Sequence, residues 1–177
     1  MSVRPTTQVG NKVIRAKSKK VLTVSAQVKR IAQDLTDSMR NAGLFGMAGP
    51  QIGIGLRIFV TEIRKTKARK HIKKFDPLRV FINPTITKKS KKNVVEYEGC
   101  GSVAHGGLFG EVSRSESVSV VAIDEKGEKF TLEASGLLAR VIQHEIDHLD
   151  GKVFLDRLTN THSLMSREEY IRQKAGK

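Results

Sequence analysis

Apolar positions recur along the chain with two periods. From Ser25 to Ala42, Val28, Ile31, Ala32, Leu35, Met39 and Ala42 recur at helical spacing and share one face. That spacing predicts an amphipathic helix, with Ser25 placed to cap its start and Gly43 to end it. A glycine-rich turn, GLFGMAGPQIGIG, follows at 43–55, where the absence of side chains lets backbone approach another group closely. RIFVTEI (57–63) reads as a strand, VFINP (80–84) as a second one stopped by Pro84, and NVVEYEG (93–99) as a third leading into Cys100. SVSVVAI (117–123) and EKFTLEA (128–134) flank Asp124-Glu125-Lys126-Gly127, which predicts a hairpin. The segments 64–74, 88–92 and 104–110 read as loops.

A second helix is expected from a cap at Ser135 to about Asp150, closed by Gly151. Leu137, Leu138, Val141, Ile142, Ile146 and Leu149 cover most of its circumference, the pattern of a buried helix. It carries His144-Glu145-Ile146-Asp147-His148. Two imidazoles four residues apart stand one turn above each other and can reach one metal ion. Glu145, about 100° round the helix from His144, can reach a water on that ion. Buried imidazoles and a buried carboxylate need partners, and a divalent cation satisfies all three. A short, charged helix is expected at about 166–175. With no internal repeat or linker, the order of elements predicts an α+β fold in a single domain, 1–177. Antiparallel or mixed sheets would pack around a buried central helix carrying HExxH.

Two histidines require a third ligand, and the residues leave three sources. One zinc-protease pattern, HExxHxxGxxH, is followed as far as Gly151, but Phe154 stands where its last histidine would be. Another takes a downstream glutamate, near the spacing of Glu168 or Glu169. The third source is Cys100, the single cysteine, in a Gly-Cys-Gly turn. Its thiolate suits Zn²⁺ or Fe²⁺. His71 and His162 have no neighbours in sequence that suggest ligation, and His105 reads as a loop residue within reach of the cleft.

Composition changes the picture mainly through charge. The 177 residues carry a net charge of +14, yet 64–74 holds seven Lys or Arg and 88–92 four, which leaves about +3 elsewhere. Such segments are either solvated loops or a docking surface for phosphate-rich partners such as ribosomal RNA. Neither interleaves aromatics with its charges, so any such contact would be electrostatic and not sequence-specific. No apolar run is long enough to span a bilayer and the N-terminal segment has no hydrophobic stretch of a secretory leader. With one cysteine and no internal disulfide, the expected compartment is the cytoplasm.

Three segments, in order, resemble the peptide deformylase family, which is marked by GxGLAAPQ, EGCLS and QHExDHLDG. The corresponding stretches are Leu44-Phe45-Gly46-Met47-Ala48-Gly49-Pro50-Gln51, Glu98-Gly99-Cys100-Gly101-Ser102 and Gln143 to Gly151. The similarity runs from QVGNKVIRAKS to GKVFLDRL. It implies an enzyme that removes the N-formyl group from the N-terminal methionine of nascent polypeptides and releases formate. It implies one divalent metal held by Cys100, His144 and His148, usually Fe²⁺ in the cell and often Zn²⁺, Ni²⁺ or Co²⁺ otherwise. Glu145 would be the proton-transfer group, Gln51 and the Gly101 N–H the oxyanion donors, and Gly46 a position pairing with substrate backbone. The alternatives are an HExxH metallopeptidase using Glu168 or Glu169, and a weakly active or inactive deformylase-like protein that binds ribosomes.

Departures from the family pattern gather away from the metal residues. Leu44 stands for glycine, Met47 for leucine, Gly49 for alanine, Gly101 for leucine and Ala104 for proline. The 104–110 segment is about two residues longer before the matching Val112-Ser113-Arg114.

Overall fold

The computed structural model describes residues 2–66 and 72–175. An extended arm leads into one helical turn, α1 (Lys12–Arg15), capped by the Asn11 side chain, which accepts from the Val13 N–H. The first predicted helix is α2 (Ala26–Asn41); Ser25 Oγ accepts from the Val28 N–H at 3.4 Å, and Gly43 turns the chain with φ +64°. The strands are β1 (Gly46–Ala48), β2 (Ile58–Ile63), β3 (Asp76–Lys89), β4 (Asn93–Gly99), β5 (Leu108–Ser115), β6 (Ser117–Ile123) and β7 (Lys129–Ser135). Then come α3 (Gly136–Leu149), the short β8 (Met165–Ser166) and α4 (Arg167–Ala175).

The fold is α+β with antiparallel sheets. One sheet has the order β1-β2-β3-β6-β7 and the other β4-β5-β8, and every ladder is antiparallel. Alternation along β2 and β3 separates two cores. Ile58, Val60, Val80 and Ile82 pack with Val28, Ile31, Leu35 and Met39 of α2. Phe59 and Phe81, stacked with ring centroids 4.5 Å apart, pack with Ala139, Ile142 and Leu149 of α3. Because α3 also touches β5, it bridges the two sheets. A third cluster, Ile14, Cys100, Val103, Val112, Val153 and Phe154, closes the end of β4.

The structure corrects several sequence-based expectations. Pro84 does not stop its strand: β3 runs on to Lys89 through a register shift between Ile82 and Thr85. The shift is held by Asn83, at φ +51°, whose side chain accepts from the Val21 N–H and donates to the Val21 carbonyl. Within that bulge proline's missing N–H costs no ladder bond. Residues 104–110 are not all loop, since β5 begins at Leu108 and pairs with both β4 and β8. Lys88 and Lys89 likewise belong to β3. Leu137 is 37% exposed, so the first turn of α3 is not buried, and Ser135 takes the N-cap position without a side-chain hydrogen bond. Of the basic segment 64–74, residues 67–71 lie outside the described residues. No helix among the described residues is long and apolar enough to cross a membrane.

Candidate metal centre and active site

Helical spacing brings the His144 and His148 rings to a centroid separation of 4.9 Å, edge to face. Cys100, at the end of β4, completes the group: one ligand atom from each of the three residues lies within 4.8 Å of the others. Cys100 Sγ stands 3.2 Å from His148 Nε2 and accepts from the Ser102 N–H at 3.4 Å. Burial alone would raise the thiol; the two histidines outweigh it and hold the sulfur well below the ordinary thiol range. The glycine before the cysteine has a packing cause. A Cβ on Gly99 would meet the Phe109 ring at 2.8 Å, so the ring needs the bare backbone there.

Behind the histidines lies a buried charge network. His144 Nδ1 is 2.9 Å from Glu98 Oε2, which leaves Nε2 to face the cysteine. Glu98 also accepts two bonds from Arg114 and one from Arg140 Nη1 at 2.6 Å. Arg114 donates to Asp147 as well, which in turn takes Nε and Nη2 of Arg157. Burial would raise Glu98, but hydrogen bonds from His144 and Arg114 prevail and hold it well below the usual carboxylate range. Glu98 lies on β4 and Cys100 directly follows that strand's last residue, so the end of β4 delivers both side chains to the histidines. That signal was present in the sequence, as was Arg114 in the Val-x-Arg match, yet neither suggested a role by residue type alone. Since partners of this kind orient ligating imidazoles, Glu98→Gln is expected to weaken metal affinity by about 10–100-fold. Competition with a chelator of known affinity measures it.

Glu145 is buried, at 3% exposure, and its Oε2 has no hydrogen-bond partner among the described residues. Burial pushes it up to about 7. Gly46 allows this placement, because a Cβ there would meet Glu145 Oε1 at 2.5 Å and Val141 Cγ1 at 2.7 Å. β1, which carries Gly46, is an edge strand of its sheet. Gln51 is also buried; its Oε1 accepts from the Ala48 N–H at 2.7 Å, which turns Nε2 toward Cys100 Sγ at 3.8 Å. The N-terminal arm ties these segments together. The Thr7 N–H donates to the Gln51 carbonyl, Gln8 Nε2 to the Gly101 carbonyl and the Val9 N–H to the Ser102 carbonyl, each at 2.8 Å.

The other candidates fall elsewhere. Phe154 is fully buried in the cluster around Ile14. Glu168 is exposed on α4, and Glu169 is spent on Arg172 at 2.7 Å. His105 and His162 are exposed, and His71 lies outside the described residues.

The donors fit a small divalent ion. Metal–nitrogen and metal–sulfur bonds of about 2.0–2.3 Å set tetrahedral donors roughly 3.5 Å apart, close to the Sγ–Nε2 separation of 3.2 Å. Glu145 Oε2, without a partner among the described residues, is a further mark of a site arranged around something other than protein. An α+β chain with a thiol and two imidazoles converging beside a buried carboxylate is, by class, a metal-dependent hydrolase. The polypeptide deformylase profile matches residues 3–163. Peptide deformylase 2 of Gloeobacter violaceus is 40% identical over 88% of this chain and 79% of its own. The peptide deformylase of Thermomicrobium roseum is 40% identical over 93% and 90%. Among solved structures, the Ehrlichia chaffeensis peptide deformylase in complex with actinonin superposes with a TM-score of 0.82, at 30% identity over 98% of both chains. The Met-Ala-Ser-bound enzyme of Acinetobacter baumannii gives 0.83, at 28% identity over 89% of this chain and 100% of that one. The chain belongs to the polypeptide deformylase family, enzymes that hydrolyse the N-formyl group.

Proposed function

We propose that this chain removes the formyl group from the N-terminal methionine of nascent polypeptides in the cytoplasm, with α3 as the central scaffold of a single catalytic domain. The convergence of Cys100, His144 and His148, with the buried Glu145 whose Oε2 has no partner among the described residues, carries the reading. In it, Cys100, His144 and His148 hold one divalent ion, Fe²⁺ as the native one, and Zn²⁺, Ni²⁺ or Co²⁺ also suit the donors. When bound, the ion supplies Lewis acidity and a water acidified toward neutral pH.

Glu145 accepts a proton from the water that attacks the formyl carbon, then passes it to the departing amine. The C–N bond breaks, and water and formamide become formate and a free amine. Gln51 Nε2, held toward Cys100 by the Ala48 contact, and the Gly101 N–H donate to the oxyanion. The free edge of β1 at Gly46 pairs with an extended substrate backbone. Exposed Lys88, Lys89 and Lys91 offer an electrostatic contact to ribosomal RNA, weakened by salt.

The ligand set is tested by substitution. Cys100→Ser is expected to drop bound metal well below one ion per chain, whereas Glu168→Ala with Glu169→Ala retains it in full, as elemental analysis reads. The opposite pattern would mark a metallopeptidase with a glutamate ligand.

A further inference from the structure

The turn that follows Cys100 has little stiffness of its own. Its first central residue, Gly101, lacks a Cβ, so the peptide planes on either side of it swing unless something outside the turn holds them. The next turn is strained: Ala104 and His105, both with side chains, hold φ of +46° and +51°, and Gly106 follows at +77°. One side chain bonds to both turns. Gln8 Nε2 donates to the Gly101 carbonyl at 2.8 Å and to the Thr6 carbonyl at 3.1 Å, while Gln8 Oε1 accepts from the His105 N–H at 2.9 Å. Two carbonyls at one end and an N–H at the other admit a single orientation of the amide. The arm itself is seated by backbone bonds that do not need this side chain, from the Thr7 N–H to the Gln51 carbonyl and from the Val9 N–H to the Ser102 carbonyl.

Planarity of the peptide bond carries this grip to the sulfur. The Gly101 carbonyl and the Ser102 N–H belong to one trans peptide and point in opposite directions. Fixing the carbonyl on Gln8 therefore aims the N–H the other way, where it donates to Cys100 Sγ at 3.4 Å. We propose that Gln8 is a positioning residue for the metal centre: its carboxamide locks the Gly101–Ser102 peptide and so keeps the Ser102 N–H on the Cys100 sulfur. Donation to a ligating thiolate draws electron density from the sulfur and fixes its direction, which tunes the bond it makes to a metal. The preceding peptide plane is held separately, since the Cys100 carbonyl accepts from the Val103 N–H at 3.0 Å. That plane carries the Gly101 N–H, so the bearing of the clamp on turnover rests on the deformylase reading, whereas its bearing on the sulfur does not.

The test reads the thiolate-to-metal charge-transfer band of the Co²⁺-loaded protein in the parent, Gln8→Met and Gln8→Glu. Loss of the N–H···S bond raises the sulfur orbital, so both variants are expected to show the band at longer wavelength. Chelator competition is expected to show Co²⁺ held about tenfold more weakly. Glutamate separates the two turns, because it keeps acceptance from His105 and loses the donation to Gly101. A band that moves with methionine and not with glutamate would give the role to the 104–106 turn and overturn the proposal. An unmoved band in both variants would overturn it too, since a glutamine that only supports the fold lowers the melting midpoint and leaves the band of the loaded protein in place. Gly101→Ala supplies a rescue: a Cβ there meets Leu44 and Thr6 at 3.5 Å, ordinary contacts, and φ at 101 is not left-handed. Stiffening the turn from within, it is expected to bring the band of Gln8→Met back toward that of Gly101→Ala alone. A displacement that the alanine leaves unchanged counts against the clamp. If Gln8→Met fails to fold, Gln8→Glu with and without Gly101→Ala reads the same outcomes. With Fe²⁺ and formyl-Met-Ala-Ser, kcat of Gln8→Met is expected to fall about tenfold and KM to stay within about threefold, less than removal of an oxyanion donor costs. A parent that releases no formate, with the band still displaced in the variants, upholds the clamp and removes the deformylase reading.

Discussion

Replacing Glu145 with glutamine is expected to lower formate release about a thousandfold while metal stays at one ion per chain. The magnitude follows from the role: a positioned proton-transfer group contributes about 10²–10⁴-fold. Glutamine keeps the shape and so leaves the packing against Gly46 and Val141 in place. What it removes is the ability to take a proton and return it. The side chain suits that task because burial pushes it up to about 7, where it changes protonation near neutral pH. Formate release and elemental analysis on the same preparation separate this outcome from loss of metal. An unchanged rate in the glutamine variant would remove Glu145 from the mechanism.

Arg114→Met is expected to cost stability instead, about 3 kcal/mol or more, because removing one partner strands buried carboxylates. Arg114 is 6% exposed and donates to Glu98 at 3.0 and 2.9 Å and to Asp147 at 2.5 Å. Arg140 and Arg157 still compensate the two acids in part, which places the loss near the lower end of the range for broken buried pairs. For a chain of this size that loss lowers the melting midpoint by roughly 6–12 °C. Arg172→Ala, which breaks only the exposed pair with Glu169, serves as the control and leaves the midpoint unchanged. Because Glu98 orients His144, the Arg114 variant is also expected to bind metal more weakly at temperatures where it remains folded.

What the sequence made legible was local. Histidines four apart on an apolar helix, the alternation on both sides of Asp124-Glu125-Lys126-Gly127, and the run from Asn93 to Gly99 each carry their period within a few residues. The remainder depended on distant partners. β3 continues past Pro84 because Asn83 grips the backbone of Val21, 62 positions earlier. β1 looked like part of a glycine-rich turn because three residues hold too little alternation, and only pairing of Gly46 with Thr61 makes it a strand. Nothing near Gly99 in sequence marks the group that approaches its bare backbone, the ring of Phe109. For Cys100, residue type and spacing left three ligand sources open. Folding sets its sulfur 3.2 Å from His148 and leaves Glu168 and Glu169 on a surface helix.

The central claim is hydrolysis of the N-formyl group at this centre, and the most direct measurement is formate release from formyl-Met-Ala-Ser by protein purified anaerobically and reconstituted with Fe²⁺. The account predicts one formate and one free Met-Ala-Ser for each substrate consumed, with turnover that requires one ion per chain. A protein that holds its full complement of metal and releases no formate would contradict it.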